Sequence, residues 1–157
     1  MEYYLAGCEL NGRSGHGAGR ALLAELYETH VGGMLPEIRI APKGKPFFVD
    51  SPWHFSVTHT KRHAFCALAR RPIGIDAEEL DRPIRPEMAA KLLSPGEYAQ
   101  FAAAPDPQLA FLTFWVLKEA DAKRTGEGIR FHPNTTDHSL TDPRVRQQDG
   151  CLLAVIL

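Results

Sequence analysis

Three short segments of this chain contain carboxylates, lysines and a histidine at spacings that could build a site for a cation and a phosphate. They are residues 54–60 (HFSVTHT), 74–78 (GIDAE) and 115–123 (WVLKEADAK). Asp76 and Glu78 lie two residues apart in a stretch with strand-like alternation, so both side chains leave the same face. Glu119 and Lys123 lie four residues apart in a helical stretch and share a face there. Three converging carboxylates would suit Mg²⁺, which prefers oxygen ligands and completes its shell with water and phosphate oxygens.

Ordinary structural interpretations of the same patterns remain open. Alternating polar residues such as Asp76 and Glu78 are often the solvated face of a strand. Glu119 with Lys123 is a common surface ion pair of a helix. His59 lies between two threonines on a predicted strand. It could donate hydrogen bonds to phosphate oxygens, or simply belong to a stretch with high strand preference.

The elements that position these residues are predicted from hydrophobic spacing, caps and turn residues. The predicted caps are a capping box at Ser94 and Glu97, an N-cap at Asp106 and a C-terminal glycine at Gly126. The predicted strands are 3–8, 38–40, 54–59, 63–69, 72–78 and 151–157, and the predicted helices are about 20–30, 86–93, 98–103 and 107–126. In the strand at 72–78 the isoleucines would face the core, and Gly74 would leave room beside Asp76 and Glu78 on the other face. The glycine-rich segment 12–19 is expected to be a flexible approach to the first helix, whose N-terminus, with Arg20 nearby, could attract an anion.

Length and composition describe a globular protein with one domain or two small lobes around a shared core. The chain has 157 residues, of which 44% are apolar and 24% charged, and a net charge of −1. This charge argues against a general nucleic-acid-binding protein, which needs an excess of basic residues, but it allows a local basic pocket. No apolar run approaches the ~20 residues that cross a bilayer, and the N-terminal residues lack the layout of a secretory signal. We therefore expect a cytoplasmic location and neither nucleic acid nor membrane as a partner.

The cysteines and histidines form no recognisable metal or disulfide pattern. Cys8, Cys66 and Cys151 are odd in number and far apart, which is typical of thiols in a reducing compartment. The seven histidines show no HExxH or similar spacing, so a zinc site is not predicted.

Four segments, taken together and in order, resemble motifs of the 4′-phosphopantetheinyl transferase family. They are residues 43–47 (KGKPF), 54–60 (HFSVTHT), 72–78 (PIGIDAE) and 115–128 (WVLKEADAKRTGEG). The histidine motif precedes the aspartate motif, which is the order of the longer class similar to the activator of surfactin synthetase, not that of the short trimeric carrier-protein synthases. The chain departs from the family where an asparagine is lost before the histidine, and it is shorter than the longer class at both ends.

The resemblance implies a fold and a reaction. The fold would be α+β, a single transferase domain of two pseudo-twofold-related lobes, 1–80 and 81–157, each with a small antiparallel sheet and helices. The reaction would be the Mg²⁺-dependent transfer of the 4′-phosphopantetheine group of coenzyme A to a serine of an acyl or peptidyl carrier protein, with release of 3′,5′-ADP. Such carriers serve fatty-acid, polyketide or nonribosomal peptide synthesis.

The family motifs also imply roles for individual residues. Asp76, Glu78 and Glu119 would hold the Mg²⁺, which Mn²⁺ could replace, and Glu119 would also be the candidate base for the serine hydroxyl. Lys123, with Lys118 nearby, would neutralise the transferring phosphoryl charge. The residues implied to bind coenzyme A are Arg20, Lys45, Pro46, Thr58, His59 and Lys123.

Two other functions remain open on the residues alone. A D-x-E pair with a lysine also serves Mg²⁺-dependent phosphodiesterases and nucleases, and the chain could be a non-catalytic coenzyme A-binding module. The transferase interpretation predicts a site in the cleft between the lobes, with Asp76 from the first lobe and Glu119 from the second. Because each motif occurs once in the longer-class order, one chain could complete a site, and we expect an active monomer.

Overall fold

The computed structural model describes residues 2–128 and 136–157. Within these residues the strands are β1 (Tyr3–Glu9), β2 (Ile38–Ile40), β3 (Pro46–Phe48), β4 (His54–His59), β5 (His63–Ala69), β6 (Gly74–Glu79), β7 (Val145–Gln148) and β8 (Cys151–Ile156). The helices are α1 (Gly15–His30), α2 (Pro86–Leu92), α3 (Pro95–Ala103) and α4 (Pro107–Thr125). This mixture confirms the predicted α+β class. In the same residues no helix combines the length and the apolar composition that crossing a membrane requires.

The strands form antiparallel sheets whose topology repeats along the chain. The N-terminal sheet has the order β1-β5-β4, the C-terminal sheet has the order β6-β8-β7, and β2 pairs with β3. In each half of the chain a first strand (β1 or β6) is followed by helix and then by a hairpin (β4–β5 or β7–β8). The second strand of that hairpin lies in the middle of the sheet. Two halves with the same topology are what a pseudo-twofold arrangement of lobes requires.

The repeat divides the chain between β5 and β6. The predicted boundary at residue 80 groups β6 with the first lobe, but β6 pairs along its whole length with β8, from Gly74 opposite Ile156 to Glu79 opposite Cys151. Alternation of apolar residues identifies a strand without identifying its partner. Asp76 therefore comes from the same sheet as the C-terminal elements.

The two larger sheets pack face to face between α1 and α4. Apolar side chains of β5, β6 and β8, among them Phe65, Ile75 and Leu153, fill the layer between the sheets. The other face of the N-terminal sheet packs on α1, and the other face of the C-terminal sheet packs on α4 and α2. The order of layers is helix, sheet, sheet, helix, and α4 covers β6.

Helix α1 begins five residues earlier than the sequence predicts. The Ser14 hydroxyl caps the helix by accepting a hydrogen bond from the Gly17 amide at 2.9 Å. A Cβ at Gly15 would lie 2.3 Å from the His59 ring, and one at Gly19 would lie 2.3 Å from Val57. Residues 15–19 of the glycine-rich segment therefore form the start of a helix that lies close against β4, not a flexible approach. Its low helix propensity obscured this in the sequence.

The caps of the C-terminal helices follow the sequence more closely. Ser94 and Glu97 form the predicted capping box of α3. Asp106 caps α4, which ends at Gly126 with a φ of 76°. The structure adds β3 and β7, which the sequence did not predict.

Candidate active site

Gly74 determines how closely α4 approaches β6. A Cβ at this position would lie 1.8 Å from the carbonyl oxygen of Ala120, so only glycine lets the helix backbone cross the strand here. The room that the sequence predicted beside the carboxylates is thus occupied by the helix itself. Because α4 lies across β6, Asp76 and Glu78 meet the face of α4 that carries Lys123.

Asp76 is buried and bound to a lysine on one oxygen only. Lys123 Nζ donates to Asp76 Oδ1 at 2.7 Å and to Thr58 Oγ1 at 3.1 Å, and Thr58 donates to the same Oδ1 at 3.3 Å. Burial raises the pKa of Asp76, and the charge and hydrogen bond of Lys123 oppose this rise. Asp76 Oδ2 is buried without a hydrogen-bond partner among the described residues. A buried carboxylate oxygen with no partner is costly and can accept a cation.

Glu78 is held from two sides. Trp115 Nε1 donates to Glu78 Oε1 at 2.9 Å, and Arg82, four residues along the chain, forms an ion pair with the same oxygen. Burial and the charge of Asp76 raise the pKa of Glu78, against the lowering effect of Arg82. The Trp115 contact was not predicted, because a tryptophan at helical spacing is normally a core residue.

Glu119 is partly buried near the other two carboxyl groups. Burial, together with the charges of Asp76 and Glu78 and against the opposing charge of Lys123, raises the pKa of Glu119 to about 7. The three predicted ligands are therefore electrostatic neighbours. Their ligand atoms do not all lie within 4.8 Å of one another; among the described residues that distance is met by a different group, which includes Glu79.

The predicted ligands fit a magnesium ion in their chemistry. All three offer carboxylate oxygens, which Mg²⁺ prefers, and Asp76 Oδ2 is an orphaned acceptor inside the site. In this structure the positive charge beside Asp76 comes from the ammonium group of Lys123, which lies 2.7 Å from Asp76 Oδ1.

A pocket of about 250 Å³ opens beside Glu119 and Lys123. It is lined by the loop at 43–46, by Phe55 to Val57 of β4, and by Glu119, Ala122, Lys123, Gly126 and Gly128 at the end of α4. Lys45 Nζ donates to the carbonyl oxygens of Arg124 at 2.8 Å and Ile73 at 3.3 Å. Burial lowers the pKa of Lys45, and the charge of Arg124 adds to this effect.

The pocket brings together several residues that the sequence predicted and leaves others aside. Lys45, Pro46, Glu119 and Lys123 line it, and Thr58 contacts it through Lys123. The loop and β4 belong to the first half of the chain and α4 to the second, so the site uses both halves.

Arg20 and His59 lie outside the lining of this pocket. The Arg20 guanidinium group is 6.0 Å from the centre of the Phe55 ring, and Phe55 is a lining residue. His59 is exposed and lies against Gly15 at the start of α1. Both residues are placed along the contact between α1 and β4.

Lys118 faces a different part of the molecule. Its Nζ lies 2.7 Å from Glu97 Oε1 of α3 and donates to the carbonyl oxygen of Thr136 at 3.0 Å. Glu97 Oε2 is also 2.9 Å from the ring of His138. The contacts of Lys118 thus join α4 to α3 and to the chain after residue 135, and they do not support the predicted catalytic role.

Comparison with known proteins gives the same family that the motifs resemble. The family model described as the 4′-phosphopantetheinyl transferase superfamily matches residues 72–152. Similar proteins include a 4′-phosphopantetheinyl transferase of Bacillus subtilis, 37% identical over 89 residues that cover 55% of this chain and 39% of the relative. The 4′-phosphopantetheinyl transferase HetI of Nostoc sp. is 33% identical over 123 residues, 71% of this chain and 52% of the relative. The chain thus spans about half the length, or less, of the relatives it matches.

Proposed function

The chain belongs to the 4′-phosphopantetheinyl transferase superfamily, and from this premise we propose that it modifies carrier proteins with the phosphopantetheine group of coenzyme A. The serine oxygen of an acyl or peptidyl carrier protein would form a bond to the β-phosphorus of coenzyme A. The bond from that phosphorus to the bridging oxygen would break, and 3′,5′-ADP would leave. The pocket lined by Lys45, Lys123 and Glu119 is the observation that best supports this proposal. It places positively charged side chains, which can bind phosphate, beside a carboxyl group that can accept a proton.

Asp76, Glu78 and Glu119 would hold a Mg²⁺ ion, or Mn²⁺ in its place. Such an ion would neutralise charge on the phosphate oxygens of coenzyme A. The unpartnered Oδ2 of Asp76 supports this assignment, as does the fixed orientation of Glu78 by Trp115.

Glu119 is the best candidate for the group that accepts the proton of the carrier serine. Burial and the neighbouring carboxylates raise its pKa to about 7 in the protein without a bound cation, and a general base is most effective when its pKa lies near the working pH. It lines the pocket, so a hydroxyl group entering there can reach it.

Lys123 would neutralise the negative charge of the transferring phosphoryl group, since catalysis of phosphoryl transfer depends on positioning and charge stabilisation. Its ammonium group lies between Thr58 and Asp76 at the edge of the pocket. Lys45 and Pro46 would contact coenzyme A in the pocket, and His59 and Arg20 would extend this contact toward α1. Lys118 is given no part, because it is paired with Glu97.

Mass spectrometry of purified carrier proteins tests this proposal. Carriers from fatty-acid, polyketide and peptide synthesis are incubated with the protein, coenzyme A and Mg²⁺, and we expect one of them to gain the mass of one phosphopantetheine. A carrier whose modified serine is replaced by alanine is the control and should gain nothing.

Two outcomes would overturn the transferase assignment. If no carrier is modified but coenzyme A raises the melting temperature, the chain is a coenzyme A-binding module. If DNA protects the fold and is cleaved with Mg²⁺, the phosphodiesterase alternative holds.

We also propose that a single chain is active, because one chain supplies every residue of the candidate site. Light scattering during gel filtration, with activity measured across dilution, tests this. Activity that disappears as an oligomer dissociates would show instead that the site is shared between chains.

A further inference from the structure

Three buried side chains meet at one end of the layer between the two larger sheets. His63 begins β5 in the N-terminal sheet, and Glu79 and Cys151 lie opposite each other on β6 and β8 in the C-terminal sheet. His63 Nδ1 is 3.1 Å from Glu79 Oε1 and 3.5 Å from Cys151 Sγ. Ligand atoms of all three residues lie within 4.8 Å of one another. None of these residues takes part in the proposed transfer reaction.

The distances agree with those between the ligands of a tetrahedral zinc ion. With Zn–N and Zn–O distances of about 2.0 Å and a Zn–S distance of about 2.3 Å, a tetrahedral site places N and O about 3.3 Å apart and N and S about 3.5 Å apart. The observed separations of 3.1 and 3.5 Å are close to both values. Two of the three separations therefore match a tetrahedral site, and the third, between Glu79 and Cys151, lies within 4.8 Å.

The carboxylate of Glu79 is already oriented by its neighbours. Thr60 donates to Oε1 at 2.5 Å, the amide of Arg62 donates to the same oxygen at 3.2 Å, and the Arg62 guanidinium group donates to Oε2 at 3.0 Å. Partners of this kind hold a ligand in the direction that a metal requires and strengthen its binding. The guanidinium group also offsets part of the negative charge that Glu79 brings.

The cluster can be reached from the surface on two sides. A pocket of about 450 Å³ is lined by Thr60, Arg62 and Glu79 among others. A second pocket of about 370 Å³ is lined by Arg62 and His63 among others. Glu79 and His63 can thus be approached from solvent, whereas Cys151 lies fully buried behind them.

We propose that His63, Glu79 and Cys151 form a second metal site, selective for a divalent cation of the zinc class. Sulfur and imidazole donors favour Zn²⁺ over Mg²⁺, whereas the three carboxylates beside α4 favour Mg²⁺. Cys151 binds as the thiolate, and its proton passes to solvent. The ion connects the N-terminal sheet to the C-terminal sheet, so its binding stabilises the arrangement of the two halves. Sequence spacing could not predict this site, because each ligand comes from a different strand.

Titration with Co²⁺ tests this site directly in the full chain, because a thiolate ligand produces a charge-transfer band in the near ultraviolet. The protein is freed of metal with a chelator, and excess Mg²⁺ is added to occupy the carboxylate site. We expect the band to grow until one equivalent of Co²⁺ is bound, and to disappear as Zn²⁺ is added. Zn²⁺ should also raise the melting temperature, and Mg²⁺ should produce no such band.

Two cysteine variants separate this site from any other source of the band. Cys151→Ser should abolish the band and weaken Zn²⁺ binding by about 100-fold or more, a larger loss than removal of a residue that only orients a ligand. Cys66→Ser is the matched control, since Cys66 is equally buried but faces α1. It should leave the band unchanged.

Absence of the band in the wild-type protein would overturn the proposal and leave the cluster as a hydrogen-bonded network only. A band that persists in Cys151→Ser, or that is lost in Cys66→Ser, would also overturn it. Because the band is measured without coenzyme A or carrier protein, its outcome does not depend on the transferase assignment.

Discussion

Lys123 Nζ of α4 lies 2.7 Å from Asp76 Oδ1 of β6, so the candidate active site contains an ion pair between a helix and the strand it crosses. The Asp76 side chain is 8% exposed and the Lys123 side chain 33% exposed. The carboxylate therefore depends on the lysine for most of its charge compensation, while the lysine can also be solvated. This asymmetry determines the effect of removing either partner.

Replacing Lys123 with glutamine should destabilise the protein by about 1–3 kcal/mol, because the buried Asp76 is then left without its cation. This is less than the loss typical of a fully buried pair, since Lys123 is partly exposed. Urea unfolding at neutral pH measures the change. Adding Asp76→Asn to this variant should recover part of the loss, and a further loss of the same size would contradict the pairing.

Glu119→Gln should lower the transfer rate by about 10²–10⁴-fold while the melting temperature stays near the wild-type value. The variant keeps the shape of the side chain but removes both a candidate ligand and the candidate base. The rate is measured by mass spectrometry of the carrier protein, with Glu87→Gln on the exposed face of α2 as the control. Activity within tenfold of wild type would remove Glu119 from the mechanism.

Trp115→Phe should weaken Mn²⁺ binding by about 10-fold or more, because it removes the hydrogen bond that orients Glu78. Phenylalanine keeps an aromatic ring beside Phe111, on which Trp115 stacks with ring centres 6.3 Å apart. Mn²⁺ affinity is measured by electron paramagnetic resonance without substrate. Trp53→Phe is the control, and equal affinities in the two variants would argue against an orienting role for Trp115.

The Glu97 ion pair should make stability depend on pH. Burial raises the pKa of Glu97, but hydrogen bonds from His138 and Lys118 outweigh this and hold the pKa below its ordinary value of 4.5. A carboxyl group with a lowered pKa stabilises the fold above its unfolded pKa, and this contribution is lost as the pH falls through the folded-state pKa.

Urea unfolding of the wild-type protein and of Glu97→Gln between pH 7 and about pH 3 measures this contribution. The variant should lose less stability on acidification than the wild type, whereas Glu25→Gln on the exposed face of α1 should behave like the wild type. Parallel curves for Glu97→Gln and the wild type would show that Glu97 does not contribute in this way.

The sequence predicted the elements whose formation depends on local pattern. The bounds of β4 and β5 agree with the predicted runs, and Ser94, Asp106 and Gly126 act as the predicted caps. The family was also identified correctly from four short motifs. Each of these strands, caps and motifs can be recognised from a short stretch of sequence at its own position.

The features that sequence did not predict depend on contacts between distant residues. The pairing of β6 with β8 joins segments about half the chain apart. Strand β7 (VRQQ) is largely exposed and has no apolar alternation to reveal it. The family motif implies a place for Lys118 near Lys123, but Lys118 is one residue before Glu119, and one residue along a helix rotates the side chain by about 100°. Its Nζ lies 2.7 Å from Glu97 of α3 instead.

The absence of a side chain at Gly74 sets the distance between β6, which carries Asp76 and Glu78, and α4, which carries Glu119 and Lys123. Ordinary contact begins near 3.4 Å, whereas a Cβ here would lie 1.8 Å from the Ala120 carbonyl, so any larger residue must push α4 outward by more than about 1 Å. Misplacement of that size can cost about 100-fold in rate. A single uncharged methyl group at position 74 would therefore lower the rate of the proposed transfer by about 100-fold while every charged residue of the candidate site stayed intact.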